Sequence, residues 1–142
     1  MKLAFFLIPK SEVVYLSFKS TMRQALEKME YHRYTAVPII NDEGKYVGTI
    51  TEGDLLWKLK NTHDLSFKDT ETIPLMDIPQ RMKNNPVRID AEIEDLLSLA
   101  IVQNFVPVVD DSGFFIGIVR RREIFEYLAE LLLEKNHETV PG

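Results

Sequence analysis

Two short clusters in this 142-residue chain carry side chains suited to holding an anion. The first is Thr51-x-x-Asp54, placed where the apolar pattern predicts a helix to start. A helix N-terminus attracts phosphate, and Thr51 can donate to one. The same spacing also fits a capping box, in which both side chains only satisfy backbone N–H groups. The second cluster is Arg120-Arg121-Arg122-Glu123. Arginine is a poor N-cap, and the helix dipole disfavours three cations beside a helix start. A phosphate would offset that repulsion, because guanidinium forks match its oxygens. The competing reading is a solvated basic patch paired with Glu123 and Glu126. At this level both pairs of readings stay open.

Other chemistries are poorly represented. The chain has no cysteine, which removes disulfides, thiolate nucleophiles and Cys-based zinc sites and fits a reducing cytoplasm. His32, His63 and His137 are scattered, without metal-ligand spacing, and read as surface or loop histidines; no metal is expected. No P-loop, G-x-G-x-x-G fingerprint or G-x-S-x-G elbow occurs, so an enzyme is not expected. A nucleotide hydrolase would need a general base and usually a metal cluster. The net charge of −5 argues against a nucleic-acid partner, which needs clustered Lys and Arg. The apolar run Leu3–Ile8 is too short to cross a membrane and lacks a cleavage pattern. It reads as a short helix docking on the body. At 45% hydrophobic and 27% charged residues, the composition is that of an ordinary globular domain.

The elements that position these clusters come from an internal duplication. Val37–Ile50 aligns without a gap to Val106–Val119, with Val-Pro, a turn carrying Asn/Asp and Gly, and an apolar run in each. Each copy reads as strand, tight turn, strand. Ahead of the first copy, Met22, Ala25, Leu26 and Met29 have helical spacing, capped by Ser20 or Thr21. Ahead of the second, Ile93, Leu96, Leu97 and Ala100 repeat it, with Asp90 as the expected cap. A helix follows each strand pair, from Thr51 to about Leu59 and from Arg120 to about Lys135. The last presents Ile124, Phe125, Leu128, Leu131 and Leu132 on one face. Trp57 reads as core or dimer packing. Short β segments at Val13–Leu16 and Val87–Ile89 complete two β-α-β-β-α units. The expected fold class is α+β, the two units packed as a pseudo-two-fold module. The boundaries are a lead-in helix over 1–12, a first unit over 13–59, a linker over 60–86, a second unit over 87–135 and a tail over 136–142. The linker carries Pro74, Pro79 and Pro86 and is expected to hold at most short turns.

These residues resemble the CBS motif, named after cystathionine β-synthase. The resemblance rests on Ala25-Leu26-x-x-Met29, Val37-Pro38-Ile39-Ile40-x-Asp42-x-Gly44 and Val47-Gly48-x-Ile50-Thr51-x-x-Asp54-Leu55, and on a second copy from Val87 to Ile124. More narrowly, Tyr34-Thr35-Ala36-Val37-Pro38 and Gly117-Ile118-Val119-Arg120-Arg121-Arg122 resemble stand-alone CBS pairs of Gram-positive bacteria, some of which bind cyclic di-AMP. The resemblance implies a regulatory module that binds AMP, ATP or cyclic di-AMP in clefts between the halves. It implies a homodimer, and an effector protein that reads the ligand state. A structural dimerisation module with empty clefts is the alternative.

The family's Asp at the position of Asp54 accepts hydrogen bonds from ribose hydroxyls, and its segment leading into the second strand holds the adenine. Here that segment is Tyr34-Thr35-Ala36. Ala36 leaves room for a flat ring, and Tyr34 can stack on it. Phe105 replaces Ala36 in the second copy, and the stretch from Leu97 to Pro107 is shorter than that from Leu26 to Pro38. The principal cleft is therefore expected to join Val13, Val14, Tyr34, Thr35, Ala36 and Pro38 to Arg120, Arg121, Arg122 and Glu123. A weaker second cleft would join Thr51 and Asp54 to Arg88, Asn104 and Phe105.

Overall fold

A computed structural model describes residues 1–139. The chain runs β1 (Ile8–Pro9), β2 (Leu16–Ser17), α1 (Met22–His32), β3 (Ala36–Ile40), β4 (Tyr46–Thr51) and α2 (Glu52–Asn61). It continues β5 (Val87–Arg88), α3 (Leu97–Val102), β6 (Phe105–Val109), β7 (Phe115–Arg120) and α4 (Arg121–Thr139). The fold is mixed α+β. One sheet has the order β2-β3-β4, the other β1-β7-β6-β5.

The duplication is visible in the register. Ala36 faces Thr51 across β3–β4, and Phe105 faces Arg120 across β6–β7. Both hairpins turn on the same device. The Asn41 side-chain oxygen accepts from the Glu43 and Lys45 N–H groups, and Asp110 does so from Ser112 and Phe114. An Asx side chain thereby replaces the missing backbone partners of a tight turn. The hairpin tips touch, the Phe115 N–H donating to the Gly44 carbonyl at 2.9 Å.

Two apolar cores form, one per half. Met22, Ala25, Val37, Ile39 and Ile50 anchor the first. Ile93, Leu96, Ala100, Val106, Val119 and Ile124 anchor the second. The segments outside the repeats exchange sides. Leu3, wholly buried, belongs to the second core, and β1 pairs antiparallel with β7. Leu75 and Ile78, from the linker, belong to the first. The Leu75 N–H donates to the Ser20 carbonyl, and the Leu3 N–H donates to the Ala91 carbonyl. Lead-in and linker are thus the same part used twice, each crossing to the opposite half.

Several elements differ from expectation. Residues 1–12 hold two 3-10 turns, Leu3–Phe6 and Lys10–Glu12, around β1 instead of a helix. The linker does hold short turns, Lys68–Glu71 and Leu75–Asp77, but they pack into the body with Thr70 and Leu75 fully buried. Glu92, not Asp90, caps the second copy's first helix, in a reciprocal box with Asp95. Its first turn, Ile93–Leu96, is 3-10. The short strands shrink to two residues each. On α4 only Ile124 of the expected apolar face is fully buried, while Phe125, Leu131 and Leu132 are exposed. That helix reaches Thr139, past the expected boundary of the tail; residues 140–142 lie outside the described part.

Candidate functional site

At the end of α1, Arg33 takes a left-handed conformation with φ of 58°, reversing the chain. Tyr34 and Thr35 then lead into β3. The Tyr34 N–H donates to the Met29 carbonyl at 3.0 Å, and the Thr35 carbonyl accepts from Glu52 N–H at 3.0 Å. The segment is held at both ends while its side chains face outward. His32 stacks on Tyr34 with ring centroids 5.6 Å apart. From the other half, β7 delivers Arg120 and the first turn of α4 delivers Arg122.

Between them lies a cavity of about 380 Å³. It gathers Val13, Val14, Tyr34, Thr35, Ala36, Pro38, Arg120 and Arg122 of the residues expected in the principal cleft. Ile8, Glu12 and Ile118 complete its wall together with Asn104 and Phe105, which were expected in the second cleft. Arg121 turns away, its guanidinium donating to the Gln103 carbonyl at 2.9 Å. Arg120 ends β7 and Arg122 lies in the first turn of α4, so the two share the cavity while Arg121 between them points elsewhere.

Both cleft arginines have carboxylate partners. Arg120 Nε donates to Glu123 at 2.8 Å, which holds the guanidinium pKa above its ordinary value. Arg122 Nε donates to Glu126 at 2.9 Å. Glu123 itself does not line the cavity. Its Oε1 takes the Arg120 bonds, while Oε2 is buried without a partner. A buried carboxylate oxygen lacking a donor is costly, so the group is poised to accept one.

The second set of expected residues is divided. Thr51 and Asp54 form the reciprocal capping box: Thr51 N–H donates to Asp54 Oδ2 at 2.9 Å, and Asp54 N–H to Thr51 Oγ1 at 3.2 Å. Asp54 is only 2% exposed, and its Oδ1 accepts from the Arg81 N–H at 3.1 Å. Both carboxylate oxygens are consumed by backbone. Arg88 is exposed and pairs with Asp90 at 3.5 Å. The linker runs over this half. Gln80 Oε1 accepts from Thr49 N–H, the Tyr46 hydroxyl donates to the Asn84 carbonyl, and the Asn85 N–H donates to Gln103. Burial there pushes the Tyr46 phenol up to about 12. The Gln80 side chain lies so close to Gly48 that a Cβ there would collide with it. A cavity of about 300 Å³ between β4 and the linker is lined by Tyr46, Thr49, Met82, Lys83 and Asn84, and by none of the residues expected in the second cleft.

A third, open groove of about 820 Å³ runs between α1 and α2. Leu26, Met29, Leu55, Leu56, Leu59 and Phe67 line it, with Glu27, Glu30 and Glu52 among the polar residues. Tyr34 and Thr35 belong to both this groove and the cleft. Trp57, expected in core or dimer packing, is 39% exposed and lies under the Arg81 guanidinium at 5.6 Å. Among the described residues no cluster of His, Cys, Asp and Glu could hold a metal, and no helix is long and apolar enough to cross a membrane. His63 is exposed beside Asp64. The His137 side chain lies outside the described residues.

Sequence reasoning missed Ile8, Glu12 and Ile118. The signal for Ile118 was its place two residues before Arg120, on the same strand face. Ile8 and Glu12 carried none, because only the crossing of the lead-in brings them there.

The CBS domain family's profile matches residues 7–61 and 75–130. The chain belongs to the CBS-domain family. Both repeats fall within the matched CBS segments. An uncharacterized protein of Methanopyrus kandleri is 26% identical over 125 residues, covering 84% of this chain and 59% of its own. Inosine-5'-monophosphate dehydrogenase of Methanocaldococcus jannaschii is 28% identical over 120 residues, covering 81% of this chain and 21% of that enzyme. The chain thus spans 59% of the length of the first relative and 21% of the second, less than two thirds of either. Among solved structures, the CbpB protein of Listeria monocytogenes in complex with c-di-AMP superposes with a TM-score of 0.77 at 22% identity, covering 92% of this chain and 96% of that one. CBSX2 in complex with AMP superposes at 0.73, also at 22% identity, covering 91% and 97%. At that identity the likeness speaks for the CBS-pair fold alone.

Proposed function

We propose that this CBS pair is a regulatory module that binds an adenine nucleotide in the cleft between its halves. One observation carries the reading. A single cavity has the Tyr34–Ala36 segment of one half on one wall and Arg120 and Arg122 of the other half on the opposite wall. That combines an aromatic and small-residue slot for a base with guanidinium forks for phosphate. The AMP and c-di-AMP complexes of CBSX2 and CbpB, which share the fold, support the ligand class.

In this reading the adenine enters beside Ala36 with Tyr34 against it. A phosphate draws Arg120 and Arg122 from their carboxylate partners. Glu123 stands behind the lining, so it accepts a ribose hydroxyl, the part that the family gives to aspartate, only once Arg120 has swung away. Arg121 acts by holding the Gln103 carbonyl, not by touching ligand. Occupancy reaches the surface through Tyr34 and Thr35, because those residues also wall the α1–α2 groove, where a second copy of the chain or an effector protein docks. A ligand shifts such an equilibrium only by its differential affinity for the two states.

A thermal-shift series with AMP, ADP, ATP and cyclic di-AMP tests the reading. A ligand at 100 times its dissociation constant stabilises the fold by about 2.7 kcal/mol. The pairing of both arginines with Glu123 and Glu126 favours a second reading, a structural dimerisation module whose cleft is stable while empty. Absence of a shift with every nucleotide would establish that second reading instead.

A further inference from the structure

We infer that Glu12 is a specificity-determining residue of the principal cleft, one that selects nucleotides of low total charge over triphosphates. The inference rests on the nucleotide reading above. Glu12 ends the 3-10 turn Lys10–Glu12 and lines the same cavity as Arg120 and Arg122. It is exposed, and among the described residues its side chain has no hydrogen bond or ion pair. The fold does not use it.

The corresponding position of the other half carries the opposite sign. Leu16 of β2 and Val87 of β5 occupy equivalent parallel registers, on Ile39 and Val108. Four residues ahead of each stand Glu12 and Lys83. Architecture therefore accepts either charge there, and the acid at the principal cleft is a property of that cleft.

The electrostatics give the choice its direction. Arg120 and Arg122 are each already neutralised, by Glu123 and Glu126. Counted together with those two partners, which stand outside the lining, Glu12 leaves the cleft region with one negative charge in excess before any ligand arrives. A nucleoside monophosphate, or a cyclic dinucleotide with one charge on each phosphate, meets two guanidiniums with enough positive charge to replace those pairs. A triphosphate carries roughly twice the charge of a monophosphate near neutral pH. Its added charge meets no further lining cation and is repelled by Glu12.

Calorimetric titration of AMP and metal-free ATP into the intact chain and the Glu12→Gln variant tests this at low ionic strength. The wild type is expected to bind AMP more tightly. In Glu12→Gln both affinities rise, ATP more, so the AMP-to-ATP preference falls by roughly five- to tenfold and the difference shrinks as salt screens it. Asp111→Asn, at the far tip of the β6–β7 hairpin, removes the same charge elsewhere and is expected to leave the preference unchanged. An unchanged preference in Glu12→Gln, or an equal change in Asp111→Asn, overturns the inference while the nucleotide reading stands. Binding of neither nucleotide overturns the inference, and if cyclic di-AMP also fails to bind, the nucleotide reading falls with it.

Discussion

The two halves place an acid at the same point, three residues into a helix that follows a hairpin, and use it oppositely. Asp54 is buried, with one oxygen on its own helix cap and the other on the Arg81 N–H of the linker. Glu123 gives one oxygen to Arg120 and keeps the other without a partner. The crossing segments explain the contrast. The linker lays Gln80 and Arg81 against the first half, with hydrogen bonds to Thr49 and Asp54. The lead-in instead pairs β1 with β7 and leaves a cavity in front of Arg120. A repeated motif therefore specifies where a polar group stands, and the segment laid over it decides whether backbone donors seal both its oxygens or leave one without a partner.

The contrast can be broken most directly at the two acids. Asp54→Ala strands two backbone N–H donors in a buried site and is expected to cost about 3 kcal/mol in urea denaturation. Glu123→Ala is expected to cost under about 1 kcal/mol, because it removes an exposed pair and an unpartnered oxygen. Equal losses would erase the distinction between the halves. Next in size, Ala36→Phe copies Phe105 into the first half. Filling the slot is expected to lower AMP affinity at least tenfold, about 1.4 kcal/mol, by calorimetry with the fold intact. Unchanged affinity would remove the base from this slot.

Gln80→Ala takes the partner from the Thr49 N–H and is expected to lower stability by about 1 kcal/mol. A chemical-denaturation curve matching the wild type would mean that the linker merely lies beside β4. The smallest effect concerns pH. The Lys2 ammonium, hydrogen-bonded to Glu92, holds that carboxyl below its ordinary 4.5, with the chain's terminal amine acting in the same direction. A depressed folded-state pKa contributes stability above the ordinary value and loses it as pH falls through the folded one. Melting temperatures of wild type and Glu92→Gln should therefore differ slightly at neutral pH and converge in acid. A gap that widens in acid would contradict this.

Much of this was legible in the residues. The aligned Val-Pro runs and Asx-Gly turns specify both hairpins, since strand alternation and turn chemistry are local. Thr51-x-x-Asp54 announced a capping box, though spacing could not say that Arg81 would seal the remaining oxygen. Ala36 and Phe105 mark unequal positions in the two copies, yet Phe105, expected in the second cleft, lines the first, which strand packing alone decides. The linker's prolines predicted at most short turns, and short turns form, but their packing into the body was not legible. Leu75 and Ile78 are buried there because tertiary packing, not helix propensity, holds them. The exposed stretch of α4 shows the reverse: helical spacing of leucines identifies a face but not what covers it.

The reciprocal crossing of lead-in and linker is an exchange of arms within one chain. Each core contains a residue donated from outside its own repeat, Leu3 in one and Leu75 in the other. Neither repeat is thus a complete cooperative unit, although each has its own apolar interior. Loss of one half releases the arm that completes the other, so two cores behave as one foldon. Amide protons on β3 and β6 should then exchange through a single global opening, with matching protection.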